Sequence, residues 1–136
     1  MESTRIALVT AIEALKLTYT ADTSLVIEYD NRTVVDPAQQ TKPYLAAQIK
    51  FIDGFQADIS DNPLHRLVGQ LYLVAWVKDN TGSAVANLLL EHFYKGLQRR
   101  QFGAVRLRMA IPTKQAKVQD WVGFPVILPF WTDQTT

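Results

Sequence analysis

Proton transfer at neutral pH needs a side chain that titrates there, and this chain offers two histidines, His65 and His92. They stand far apart, and neither has a second ligand at metal-binding spacing. His92 falls on the apolar stripe of a helical segment, which favours a core or capping role. His65 opens a strand segment, where an exposed or interface position is expected. None of the four serines stands in a Gly-x-Ser-x-Gly elbow. The six glycines form neither a Gly-x-x-x-x-Gly-Lys phosphate loop nor a Gly-x-Gly-x-x-Gly turn. Cysteine is absent, which excludes disulfides, thiolate catalysis and Cys-ligated zinc. The expectation is a protein that is not an enzyme and has no cofactor and no metal.

The residues that remain suit recognition. Asp53, Asp58 and Asp61 share the stretch DGFQADISDNP (53–63), and oxygen ligands suit a hard cation. The alternating acids and closing Glu of an EF-hand are missing, so a solvated acidic loop is the simpler reading, with a divalent site formed on assembly as the alternative. Phe55 and Ile59 are embedded in that loop, and apolar residues there predict docking on the domain itself or on a neighbour. Charge is also segregated along the chain. Lys95, Arg99, Arg100, Arg106, Arg108, Lys114 and Lys117 fall within 93–118, where there is no acid. The remainder keeps seven basic against thirteen acidic residues, a formal charge of −6. A basic patch of this kind is solvated, pairs with the acidic loop of a neighbouring subunit, or attracts phosphate without regard to sequence. Trp121 and Trp131 flank the last strand segment, where packing or an interface would use them.

Hydrophobic periodicity supplies the elements that must carry these residues. Segment 3–17 reads as a helix with Ile6, Leu8, Val9, Ile12 and Leu15 on one stripe and Ser3 as N-cap. A short strand is expected at 25–29, followed by a long polar connection over about 30–43. Residues 44–52 alternate, with Leu45, Ala47, Ile49 and Phe51 on one face. Residues 64–77 are apolar on both faces, which predicts a central strand. A second helix is expected over 83–95, with Val85, Leu88, Leu89, His92 and Phe93 buried and Gly96 as the C′ residue. A hairpin closes the chain: Val105, Leu107, Met109 and Ile111 face in, Arg106 and Arg108 face out, and 122–131 returns. Pro125 and Pro129 lack a backbone donor, which predicts an edge strand or a bulge. The order α-β-β-β-α-β-β gives class α+β, one domain with an antiparallel or mixed sheet of about five strands and two helices packed on it.

Composition agrees with a globular chain. The 136 residues are 48% hydrophobic and 20% charged, and the formal net charge of +1 gives no global argument for nucleic acid, an anionic membrane or an acidic substrate. No apolar run is long enough for a membrane span, and the acidic, amphipathic N-terminus is unlike a signal peptide. The expected setting is synthesis in a cytoplasm.

The word-like stretches have a further meaning. An amphipathic helix is followed by Lys42-Pro43-Tyr44-Leu45 opening a strand, and His65-Arg66 through Gly69-Gln-Leu-Tyr-Leu-Val forms the next. Asp79-Asn-Thr-Gly leads into a helix ending Phe93-Tyr-Lys-Gly-Leu. Gly103-Ala-Val-Arg-Leu-Arg opens a strand, and Pro125-Val-Ile-Leu-Pro-Phe-Trp closes the series. Over roughly 3–132 this resembles the tail terminator proteins of long-tailed bacteriophages, a family with no catalytic residues to carry over. The resemblance implies a single tail-terminator-like domain over 1–136. It implies a structural virion protein at the head-proximal end of the tail, made in the host cytoplasm. Such a protein forms a ring, typically a hexamer, that caps the finished tail tube, stops its polymerisation and presents the head-joining surface. The implied partners are further copies of itself, the tail tube protein and a head-completion or neck protein, with DNA only as passing cargo and no membrane. Another neck or head–tail joining protein is the nearest alternative, and a small nucleic-acid-binding module using 95–117 is the next.

Overall fold

The computed structural model describes residues 2–29, 42–56, 64–79, 83–118 and 120–135. Two helices and one mixed sheet make an α+β fold in the order α1 (Glu2–Leu17), β1 (Ile27–Tyr29), β2 (Tyr44–Gln56), β3 (Leu64–Lys78), α2 (Ser83–Leu97), β4 (Gln101–Phe102), β5 (Val105–Leu107), β6 (Ile111–Pro112), β7 (Ala116–Val118) and β8 (Trp121–Thr135). The sheet has eight strands rather than five, ordered β1-β2-β3-β8-β5-β4, with β6 and β7 also paired to β8. The extra strands are two- and three-residue pieces that carry no periodicity of their own.

β1 lies parallel to β2, and every other pairing is antiparallel. A parallel pair needs a crossover of about a dozen residues, which accounts for the long polar connection between Tyr29 and Tyr44. β3 is central, as its two apolar faces predict, between β2 and β8. β2 runs on through Gln56, so Asp53 and Phe55 belong to a strand and not to a loop over 53–63. A register shift between Phe51 and Asp53 inserts one residue, Ile52. That bulge reverses the alternation: Phe51 pairs with Gly69, whereas Asp53 and Phe55 pair with Val68 and Arg66, which are of the other phase.

β8 is not an edge strand. It pairs with β3 over fifteen residues and with β5, β6 and β7 on its other side. Its prolines are tolerated because their carbonyls accept from Arg108 N–H (2.8 Å) and Thr113 N–H (3.2 Å) on the side of the short strands. The missing proline donors therefore face the interrupted side of the strand, not the long ladder with β3.

The helices cover one face, called inner below. Leu71, Leu73, Ala75 and Val77 of β3 and Val126, Leu128 and Phe130 of β8 form the floor. α2 buries Ala86, Leu89, Leu90, Phe93 and Leu97 on it. The expected stripe is thus rotated, since Leu88 is 65% exposed and Val85 also faces out. In α1 the buried row is Thr4, Leu8, Ala11 and Ile12, and Ile6 is exposed. Gly96 lies inside α2 and not after it: a Cβ there would sit 2.5 Å from Leu15 of α1. Its small size sets the closeness of the two helices rather than the end of one. His92 takes the capping role, donating from Nε2 to the Leu15 carbonyl (2.8 Å) at the end of α1, with Thr18 Oγ1 at 3.0 Å.

Candidate functional site

The other face of the sheet carries the alternate residues of β2, β3 and β8, and among the described residues no helix packs on it. One end of it is closed. Tyr44 and Trp121 are both buried, with their rings 5.2 Å apart and edge-on, and Lys78 Nζ lies 4.6 Å from the Trp121 ring centre. Trp76 lies down over Gly123, where a Cβ would come within 2.9 Å of the indole. Burial raises the Tyr44 hydroxyl above the usual phenol range, so it stays neutral.

The opposite end is open and cationic. Arg66 on β3 grips Asp133 on β8 with two hydrogen bonds, Nε to Oδ1 at 2.8 Å and an Nη to Oδ2 at 3.0 Å. Those bonds, then the charges of Arg66 and Arg106, hold the Asp133 carboxyl below the usual carboxylate range. Trp131 stands between the flanking strands. The Arg66 guanidinium carbon is 4.3 Å from its ring centre, and that of Arg106 on β5 is 4.8 Å away. Cation–π attraction of this kind fixes long side chains that would otherwise be free. Beside this stack is an open hollow of about 570 Å³ lined by Arg66, Val68, Arg108, Met109, Ile111, Pro129, Phe130 and Trp131. Met109 and Ile111, expected to face in, are 50% and 51% exposed on its wall. The inward alternation ends at Leu107, because β5 stops there and the chain crosses to β6.

The basic residues expected to form one patch are divided among several surfaces. Arg106 and Arg108 share the open face, and Arg99 reaches toward it through a contact of 3.1 Å with Met109 Sδ. Arg100 lines a groove against α1. Lys95 lies near Glu91 on α2 at 3.7 Å, and Lys117 is paired with Asp79 at 2.8 Å. Lys114 is exposed between β6 and β7. Of the two tryptophans that flank the last strand segment, Trp131 is on the open face and Trp121 is buried in the closed end. Asp53 and Phe55 are placed by register beside Val68 and Arg66. Asp58, Ile59 and Asp61 lie outside the described residues. The sequence marks neither Arg66 nor Asp133 as a site residue, and it assigns Met109 and Ile111 to the core rather than to a site. Only the register that sets Arg66 opposite Asp133 brings them together.

No family model matches the chain, and no curated protein matches it. Chains of solved structures do match. One aligns over 96% of this chain and 92% of its own length, at 18% identity and a TM-score of 0.64. Likeness at that identity shows a shared fold.

Proposed function

We propose that this protein is a structural component of a phage virion that caps the finished tail tube as a ring, in the manner of the tail terminators it resembles. The observation that carries this reading is the open end of the outer face, where Arg66, Arg106, Arg108, Trp131 and Met109 lie together. These side chains are enriched where proteins meet proteins. The exposed Arg106 and Arg108 beside that hollow support it, because a closed ring joins two different patches of one chain and one of them can be cationic. Solution mass by light scattering, alone and with the tail tube protein of the same phage, followed by negative-stain imaging, tests the proposal. A discrete ring with a central hole, seated on tube ends, is the expected result. A chain that remains monomeric and leaves tube length unchanged would sink it.

The same arginines would serve a nucleic-acid-binding module. Arg106→Glu with Arg108→Glu then abolishes binding of a DNA duplex while any oligomer survives.

A further inference from the structure

Met109 is the one methionine of this chain beyond the first residue, and it is 50% exposed. It lines the hollow of the open face and a second hollow of about 540 Å³ on the α2 side. Its backbone neighbours are pinned. Arg108 N–H donates to the Pro129 carbonyl at 2.8 Å, and Ala110 N–H donates to Gln98 Oε1 at 3.1 Å. The sulfur has a partner of its own, an Nη of Arg99 lying 3.1 Å from Sδ. A guanidinium carries donors only, so this contact sets an N–H on one lone pair of the thioether. The backbone at Arg99 is unusual. Its φ is 58°, in the left-handed region that favours glycine, and its own N–H donates to the Arg108 carbonyl at 3.4 Å. Among the described residues no other residue with a side chain has a positive φ.

We infer that Met109 is an oxidation site for hydroperoxides, and that Arg99 decides which side of its sulfur takes the oxygen. The inference does not rest on the ring reading. In the reaction the open lone pair of Sδ attacks one oxygen of the peroxide. An S–O bond forms as the O–O bond breaks, and sulfur gives up two electrons to the peroxide. The proton on the delivered oxygen passes to the departing one, which leaves as water or an alcohol. The product is the sulfoxide, whose sulfur is chiral. Two open lone pairs would give two epimers in similar amounts. With one of them engaged by Arg99, oxygen enters at the other and one epimer is favoured. Oxidation thus turns an apolar side chain shared by both hollows into a polar one, and a methionine sulfoxide reductase reverses it.

Hydrogen peroxide on the folded chain, followed by tryptic digestion and mass spectrometry, tests this. Cleavage after Arg108 and Lys114 isolates Met109 in the peptide 109–114, apart from Met1. The oxidised peptide is then treated with each of the two reductases, one being specific for each epimer. Met109 should oxidise in the folded chain at a rate close to that in urea. One reductase should restore about fivefold more of the peptide than the other. Arg99→Gly removes the guanidinium and suits the left-handed backbone, and circular dichroism and melting show that it is folded. It should give the two epimers in nearly equal amounts. Equal epimers in the wild type, or an unchanged excess in Arg99→Gly, overturn the role of Arg99. A Met109 that resists peroxide in the folded chain while the chain in urea reacts overturns the site itself.

Discussion

Single side chains decide how rigid the open face is. The Arg66–Asp133 grip joins two central strands and orients the first guanidinium over Trp131. Asp133 has its carboxyl lowered in the folded chain, so the pair's contribution is present above the unfolded value, about 4, and is lost as pH falls through the folded value. Wild type and Asp133→Asn should therefore differ in melting temperature by a constant, small amount at neutral pH. The difference should shrink in acid, where the wild type loses what the variant never had. A difference that grows in acid would contradict the pairing. Gly69 matters in another way. A Cβ there would lie 2.5 Å from both the Lys50 carbonyl and the Phe130 ring, which is itself wedged edge-on against Phe51. Gly69→Ala should cost about 1–3 kcal/mol by overpacking, read from urea unfolding.

At the scale of elements, the arginines are presented by a hairpin whose hold on the sheet is only a few residues deep. β5 contributes Val105 and Leu107 to the core on either side of Arg106, and β4 pairs with it through Gln101 and Phe102. Leu107→Ala should destabilise the fold by about 2–5 kcal/mol. Amide exchange should show the loss concentrated in 99–108 and β8. Long, strongly patterned elements were legible in the sequence: both helices, the 44–52 alternation and the central 64–77 strand are where the apolar spacing puts them. The buried faces of both helices are rotated from those the apolar spacing predicts. Leu88 and Ile6 are as apolar as their buried neighbours, and only the packing partner decides which side turns inward. The bulge at Ile52 and the short strands β4, β6 and β7 left no pattern to read, because they are set by the partner strand. For the site, the arginines and Trp131 were legible as types, and their juxtaposition was not. It depends on Arg66 lying opposite Asp133 across an interval of 67 residues.

For the whole molecule, association should depend on the open face that carries Arg106 and Arg108. Phe55→Asp should leave the monomer folded and prevent ring formation, with sedimentation velocity as the measurement, and an intact ring carrying it would count against a role for Phe55 in assembly. Assembly driven by opposed charges should also weaken as salt rises from 0.01 to 0.15 M or so, where the screening length falls from about 30 to about 8 Å. The position of β8 has one more consequence. The middle of the sheet includes residues 121–135, which follow its other described strands in chain order and whose long ladder is with residues 64–78. A nascent chain that has reached α2 holds β2 and β3 but lacks the strand that covers the free side of β3. Such a chain has an open, apolar strand edge and no completed core. Folding of the sheet must then wait until residues 121–135 have been synthesised, and the long-range closure they make is intrinsically slow. Ribosome stalling or truncation before residue 121 would yield an aggregation-prone fragment rather than a smaller domain.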